Sequence, residues 1–296
     1  MKILITGASG QLGSEFRELD KETPQHQFLF TDVDELDITS PDALADYFSK
    51  ENPELVVNCA AYTAVDKAED EPEKAGLINR DAVRNLSYAC YSSGSRFIHI
   101  STDYVFDGKN FRPYVENDPV NPVSVYGRTK MEGEGELLLA GIKGIVIRTS
   151  WLYSSFGNNF VKTMIKLGKE RDELNVVFDQ IGTPTYARDL AKAAIAIADK
   201  LMNDPADFKR GIYHFSNEGV ASWYDFTLAV HEMYGGIDCR VFPVGSEEFT
   251  TKAPRPHYSV LNKTKIKSTF GLSIPHWRES LKECITKLKE YPDYAK

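Results

Sequence analysis

Tyr126 and Lys130 stand four residues apart in Val125-Tyr126-Gly127-Arg128-Thr129-Lys130-Met131-Glu132-Gly133-Glu134. In a helix that spacing puts both side chains on one face, one turn apart, so that the ammonium can lie close to the phenol. A phenol with an ordinary pKa of about 10 is a poor proton relay at neutral pH, and a fixed cation nearby favours its ionised form. Tyrosine and lysine so placed make a general acid/base pair. Both residues are common and the pattern is short, so alone it fits a surface helix equally well. The surrounding elements must decide.

The first of these is a glycine-rich turn. Lys2-Ile3-Leu4-Ile5-Thr6 is an apolar, partly β-branched run that stops at Gly7, as a buried parallel strand would. Gly7-Ala8-Ser9-Gly10-Gln11-Leu12-Gly13 follows, with Leu12, Phe16 and Leu19 at helical spacing beyond it. Glycines there let the backbone turn tightly and approach a pyrophosphate, while the helix N-terminus faces the phosphates. The other reading is an ordinary strand-to-helix turn. Its place at the head of a βαβ pattern makes Gly7, Gly10, Gln11, Leu12 and Gly13 a candidate dinucleotide cradle.

A second strand at 27–31 ends at Asp32, where a carboxylate can accept hydrogen bonds from the adenosine ribose and favour NAD over NADP by repelling a 2′-phosphate. Asp37 either faces the adenine edge or is a loop aspartate. Ser40-Pro41-Asp42 reads as cap, first-turn proline and first-turn acid of a helix to about residue 49. The run at 55–61 is a third strand ending in Ala60 and Ala61, small enough to admit a flat ligand or to pack a helix closely. Residues 72–92 read as one long helix stopped by Gly94.

The fourth strand, 96–101, delivers Thr102-Asp103-Tyr104 to the sheet edge where open α/β proteins bind ligands. The Thr102 hydroxyl there either holds a substrate carbonyl oxygen that Tyr126 also touches or caps a turn. A fifth strand, 144–148, brings Trp151 to the same edge, as a ligand contact or as core.

The alternation of strands and helices predicts an α/β fold, a Rossmann-type doubly wound parallel sheet over residues 1–150 to which about 186–216 return. Residues 151–296 form a smaller, interleaved α+β lobe. In that lobe we expect helices at 159–169, 187–202 and 223–234, a strand at 175–178, a polar loop at 179–185 and a last helix opened by Pro275. The 296 residues suffice for a large core, and a net charge of −8 argues against a nucleic-acid partner. No apolar run approaches the roughly 20 residues of a membrane span. The N-terminal apolar run meets Gly7 too soon for a signal peptide, so a cytoplasmic protein is expected. Cys59, Cys90, Cys239 and Cys284 are scattered and suggest neither disulfides nor zinc.

Together, Thr6 to Gly13, Thr102 and Tyr126-Gly127-Arg128-Thr129-Lys130 resemble the extended short-chain dehydrogenase/reductase superfamily. Val57 to Glu69, Ser101-Thr102-Asp103-Tyr104-Val105-Phe106-Asp107-Gly108, Arg148-Thr149-Ser150-Trp151 and Asp179-Gln180-Ile181-Gly182-Thr183-Pro184-Thr185 narrow the resemblance to the dTDP-4-dehydrorhamnose reductases. Arg255-Pro256 with Leu261-Asn262 is similar to that family's C-terminal motif.

The resemblance implies NADPH- or NADH-dependent reduction of a dTDP-sugar ketone. Tyr126 would be the proton donor, Lys130 the partner of the nicotinamide ribose, and Thr102 a hydrogen-bond donor at the ketone. It implies cofactor contacts at Gly10-Gln11-Leu12, Asp32, Asp37-Ile38 and Ala60-Ala61-Tyr62, and sugar-nucleotide contacts at Thr102, Asp103, Tyr126 and Trp151. Some members dimerise through a magnesium site of carboxylates, so a homodimer is one expected assembly. Glu15 falls where one such ligand lies, but Asp189 aligns too loosely, and no metal is assigned. Two alternatives stay open: a sugar-nucleotide dehydratase or epimerase on the same fold, and the regulatory subunit of methionine adenosyltransferase. Against a dehydratase, Asp103 is followed by Tyr104 and not by a second carboxylate.

Overall fold

The computed structural model describes residues 1–204 and 208–291. Among them six strands form one parallel sheet: β1 (Lys2–Thr6), β2 (Gln27–Thr31), β3 (Leu55–Asn58), β4 (Arg96–Thr102), β5 (Gly144–Thr149) and β6 (Gly211–His214). Their spatial order is β6-β5-β4-β3-β1-β2. Ile5 lies opposite Phe30 on one side and Val57 on the other. Helices cover both faces, as the sequence predicts. Ile3 and Ile5 pack with Phe16 and Leu190 from the helices Gln11–Leu19 and Ala187–Asn203. Leu4 and Val56 pack with Phe48 and Leu86 from Pro41–Glu51 and Ala82–Ser93, and with Leu137 from Val125–Leu139.

Because both faces are buried, the strands read as continuous apolar runs. Each such side chain contributes roughly 1.5–3 kcal/mol by its burial. The order reverses between β1 and β3, which opens a crevice at their C-terminal ends.

The Tyr126 helix, Val125–Leu139, is held at three places. Ser124 caps it by accepting from the Gly127 N–H (3.2 Å), and Glu69 Oε1 accepts from the Val125 N–H (2.8 Å). Two glycines let it lie against its neighbours: a Cβ on Gly127 would stand 2.2 Å from the Tyr104 carbonyl oxygen, and one on Gly133 2.1 Å from that of Asn79. Farther along, Glu134 and Arg148 form a buried two-point ion pair (2.9 and 2.7 Å), to which Ser101 Oγ donates at 2.5 Å. Three interior glycines cost this helix on the order of 3 kcal/mol in propensity; close packing and the ion pair offset that.

Residues 72–92 are not the single regular helix expected. Pro72–Gly76 and Ala82–Ser93 are joined by a π-helical turn, Leu77–Asp81. The wider turn carries Asn79, whose amide bonds the Tyr62 backbone N–H (2.9 Å), the Tyr62 carbonyl (3.1 Å) and Thr129 Oγ1 (3.1 Å). Such turns persist where side-chain bonds compensate for the weakened helix ladder.

A second hydrophobic core gathers Phe160–Glu170, Trp223–Tyr234 and Trp277–Glu290 around Phe226, Trp277 and Leu281. Ser222 and Asp225 form a capping box at the second of these. The strand expected near 175 runs Glu173–Val177 and pairs in parallel with Arg240–Val244. The expected polar loop at 179–185 is partly structured, since Ile181–Gly182 pairs with Ala221–Ser222 and Thr185–Tyr186 with Leu152–Tyr153. Among the described residues no helix is long and apolar enough to cross a membrane.

Candidate active site

The crevice at the C-terminal ends of β1 and β3 opens into a cleft of about 770 Å³, within the range of small-molecule and cofactor sites. Gly7, Gly10, Gln11, Leu12, Asp32, Asp37, Ile38, Ala60 and Ala61 line one part of it; Thr102, Asp103, Tyr126, Lys130 and Trp151 line the other. Gly13 and Tyr62 are not on its wall. A Cβ on Gly13 would stand 2.5 Å from Ala8 Cα, so that glycine lets the first helix close on the turn. The Tyr62 hydroxyl donates to Glu71 (2.8 Å).

The cradle fits a dinucleotide. Gly7 has φ +66°, and a Cβ there would stand 2.7 Å from the Ala60 backbone nitrogen, so β1 and β3 meet only through glycine. The helix Gln11–Leu19 begins at Gly10 without a side-chain cap, leaving its first N–H groups to a ligand. Asp32 accepts from the N–H groups of Ser9 and Val33, both at 3.0 Å. Burial raises its pKa, but these bonds and the Arg17 charge outweigh burial and hold it below the ordinary carboxylate range. Asp37 lines the cleft and also accepts from Thr39 N–H and Oγ1 (2.9 and 2.7 Å), so it is a loop-closing aspartate as well.

At the other end, Thr102 caps the turn Asp103–Val105 by accepting from the Tyr104 N–H (3.2 Å), and its hydroxyl donates to Asp103 (3.1 Å). The turn-capping reading of Thr102 is the one observed, and its hydroxyl also lies on the cleft wall. Asp103 is buried; burial pushes its carboxyl up to about 6 against hydrogen bonds from Ser259 and Thr102. The phenol of Tyr126 is raised above its ordinary value by burial, opposed by a hydrogen bond with Thr102 and assisted by Asp103 and Tyr104.

Lys130 is held by strand β4 and not by a hydrogen bond to the phenol. Its Nζ donates instead to the Ile100 carbonyl at 2.7 Å and lies 3.3 Å from His99 Nε2. A strand carbonyl offers a buried cation a closer partner than a neutral phenol does. Burial lowers Lys130 to about 8, with Glu134 and Cys59 pulling the other way.

Trp151 adopts φ +48° and stacks on Trp223 with ring centroids 3.5 Å apart. Sequence reasoning missed Trp223 and also Asn159. Asn159 caps Phe160–Glu170 and donates to Gln11 Oε1 (3.1 Å), which ties the lobe to the cradle. Its capping position was the available signal; its reach across 148 residues was not. His99 gave no signal beyond its place in a strand.

The residues around Glu15 do not fit a divalent cation. Ser154 donates to its carboxylate at 2.6 Å, and Arg188 and Lys287 lie within 3.6 and 3.8 Å of its other oxygen. Two cations thus already compensate the charge. No group of three or more metal-ligating side chains occurs among the described residues.

Over residues 1–290 the chain matches the protein family described as RmlD substrate binding domain. It is 41% identical over 288 residues to a dTDP-4-dehydrorhamnose reductase from Aggregatibacter actinomycetemcomitans, which covers 95% of this chain and 97% of that protein. The fold is similar to the crystal structure of a dTDP-4-dehydrorhamnose reductase from Clostridium acetobutylicum, with 46% identity and a TM-score of 0.92 over 98% of this chain and 100% of that one. It is also similar to the Bacillus anthracis dTDP-4-dehydrorhamnose reductase solved in complex with NADP, at 39% identity and a TM-score of 0.89 over 97% and 99% of the two chains.

Proposed function

The chain belongs to the RmlD substrate binding domain family, and from that premise we propose that it reduces the C4 ketone of dTDP-4-dehydro-β-L-rhamnose with NAD(P)H, giving dTDP-β-L-rhamnose as the last step of dTDP-rhamnose synthesis. The observation that carries this reading is the meeting of the dinucleotide cradle with Thr102, Tyr126 and Lys130 in one cleft. A reduced nicotinamide, when bound, supplies the hydride. In this reading the glycine turn and the open helix start hold the pyrophosphate, Asp32 the adenosine ribose, and Asp37 with Ile38 the adenine end. Ala60 and Ala61 shape the wall behind, with Tyr62 set back from it, and Lys130 holds the nicotinamide ribose.

Tyr126 gives its proton to the oxygen at C4, and Thr102 holds the same oxygen. Because burial keeps the phenol protonated at neutral pH, Tyr126 is supplied as an acid, the form that reduction consumes. Asp103 and Trp151 contact the sugar nucleotide, and the lobe from residue 151 onward covers it. Asp32 is charged, yet Ser9 and Arg17 already partner that charge. Its repulsion of a 2′-phosphate is thereby weakened, and both NADH and NADPH are accepted. The cytoplasm is the expected place of work.

Assays with two sugars test this reading. dTDP-4-dehydro-L-rhamnose should drive oxidation of NADH and NADPH, and dTDP-glucose should yield no 4-keto-6-deoxy product. Such a product from dTDP-glucose would make the protein a dehydratase, and a chain inert alone that alters a methionine adenosyltransferase would make it a regulatory subunit.

A further inference from the structure

Behind Lys130 lies a row of buried polar groups that the mechanism above leaves unused. Thr6 Oγ1 donates to Asn58 Oδ1 (2.6 Å), and the Ala60 N–H donates to the same oxygen (3.1 Å). Asn58 Nδ2 lies 3.1 Å from His99 Nδ1, and His99 Nε2 lies 3.3 Å from Lys130 Nζ. None of Thr6, Asn58, His99 and Lys130 is more than 2% exposed. β1, β3, β4 and the Tyr126 helix each contribute one of them.

The directions of these bonds follow from one end. An amide atom that accepts from two donors is the oxygen, so the other atom of Asn58 is nitrogen and only donates. His99 Nδ1 must then accept, and the neutral ring carries its proton on Nε2, facing the lysine. An N–H and an ammonium are both donors with no lone pair between them; an N–H and an amine make a hydrogen bond.

We propose that His99 is a positioning residue for Lys130: oriented by Asn58 with its proton on Nε2, it hydrogen-bonds the amine form of the lysine and opposes the ammonium form. The other groups facing Lys130 do not undo this. On its own helix, Glu134 is committed to Arg148 of β5 and Ser101 of β4, and Tyr126 is neutral. Beyond β3, Cys59 is held as a thiol by burial. From β4, the Ile100 carbonyl accepts from either form. Glu134 favours the ammonium, yet burial prevails and Lys130 falls to about 8. Burial, reinforced by the Lys130 charge, keeps His99 well below its ordinary value, so the ring stays neutral.

For its catalytic consequence the inference rests on the reductase reading. If turnover needs the ammonium, kcat/KM falls above about pH 8, and His99 sets where the fall begins. His99→Gln puts an amide oxygen within the lysine's reach, an acceptor for the ammonium. Asn58→Asp accepts from Nδ1–H, turns the ring to the other tautomer and frees Nε2 to accept. Both variants should move the alkaline limb up by about one pH unit.

The deciding experiment needs no sugar. Ring-nitrogen NMR of the wild-type protein should show His99 protonated at Nε2 and bare at Nδ1. The Lys130 side-chain resonances should titrate near pH 8, and about one unit higher in either variant. A proton on Nδ1 in the wild type, or a Lys130 titration that moves by less than about 0.3 unit in the folded variants, overturns the inference. If His99→Gln does not fold, the ring tautomers of the wild type and of Asn58→Asp decide, since the new carboxylate raises the lysine by its own charge as well. A protein with these titrations but no activity on the sugar upholds the inference and sinks the reductase reading; an active protein with the other tautomer does the reverse.

Discussion

Burial acts oppositely on the two residues that define the site. It disfavours charge on both, so Tyr126 is held as a neutral phenol and Lys130 is pushed toward the amine. The phenol is thus the natural proton donor, and Tyr126→Phe should leave cofactor binding intact while lowering turnover by roughly 10²–10⁴-fold, the usual worth of a positioned acid. Steady-state kinetics beside a cofactor titration would check this; turnover within a few-fold of wild type would remove Tyr126 from the mechanism. Asp103 carries a second prediction. Its folded pKa, near 6, lies above the unfolded value, so the folded state binds the proton more tightly. Stability from this group is gained as pH falls from about 6 toward 4 and is absent above. Asp103→Asn should therefore stabilise at pH 8 relative to pH 5, by on the order of 1–3 kcal/mol. One reason is that Asp103 Oδ2 has no hydrogen-bond partner to lose. Urea unfolding at both pH values measures it, and an equal effect at the two would contradict the assignment.

The helix that carries Tyr126 has glycines where most helices would not, and they are not equivalent. Gly133 abuts the Asn79 carbonyl, whereas a Cβ on Gly135 would meet nothing within 4 Å. Gly135→Ala should stabilise by about 0.4–1 kcal/mol, and Gly133→Ala should destabilise by about 1–3 kcal/mol as the helix is forced off its neighbour. Thermal unfolding that shifts the same way for both would contradict this packing. The first five strands of the sheet were legible because a sheet buried on both faces writes itself as short apolar runs ending in glycine or polar residues, as at Gly7 and Asp32; the sixth, Gly211–His214, was not called. The π-helical turn was not, because its cause is Asn79 bonding Tyr62 and Thr129, partners 17 and 50 residues away. In the cleft, residues that follow a strand end could be named from the sequence. Asn159, Trp223 and His99 could not, since each acts through a partner that only the tertiary structure supplies.

Across the whole molecule, the C-terminal helix is tied to the cradle helix by charge. Lys287 pairs with Glu15 and Glu18, and Arg188 with Glu15, Glu18 and Glu22. With these cations at Glu15, activity and assembly should not depend on added magnesium; size-exclusion chromatography and rates with and without EDTA check this, and loss of either on chelation would contradict it. The parallel sheet itself sets the cradle after β1 and the Thr102–Tyr126 edge after β4 in one cleft, which is the physical basis for reading the chain as a ketone reductase. The most direct test follows the transferred atom. The purified chain alone, given dTDP-4-dehydro-β-L-rhamnose and reduced nicotinamide deuterated at its transferable position, should form dTDP-L-rhamnose with deuterium at C4. No sugar product, or deuterium at any other carbon, would contradict the account.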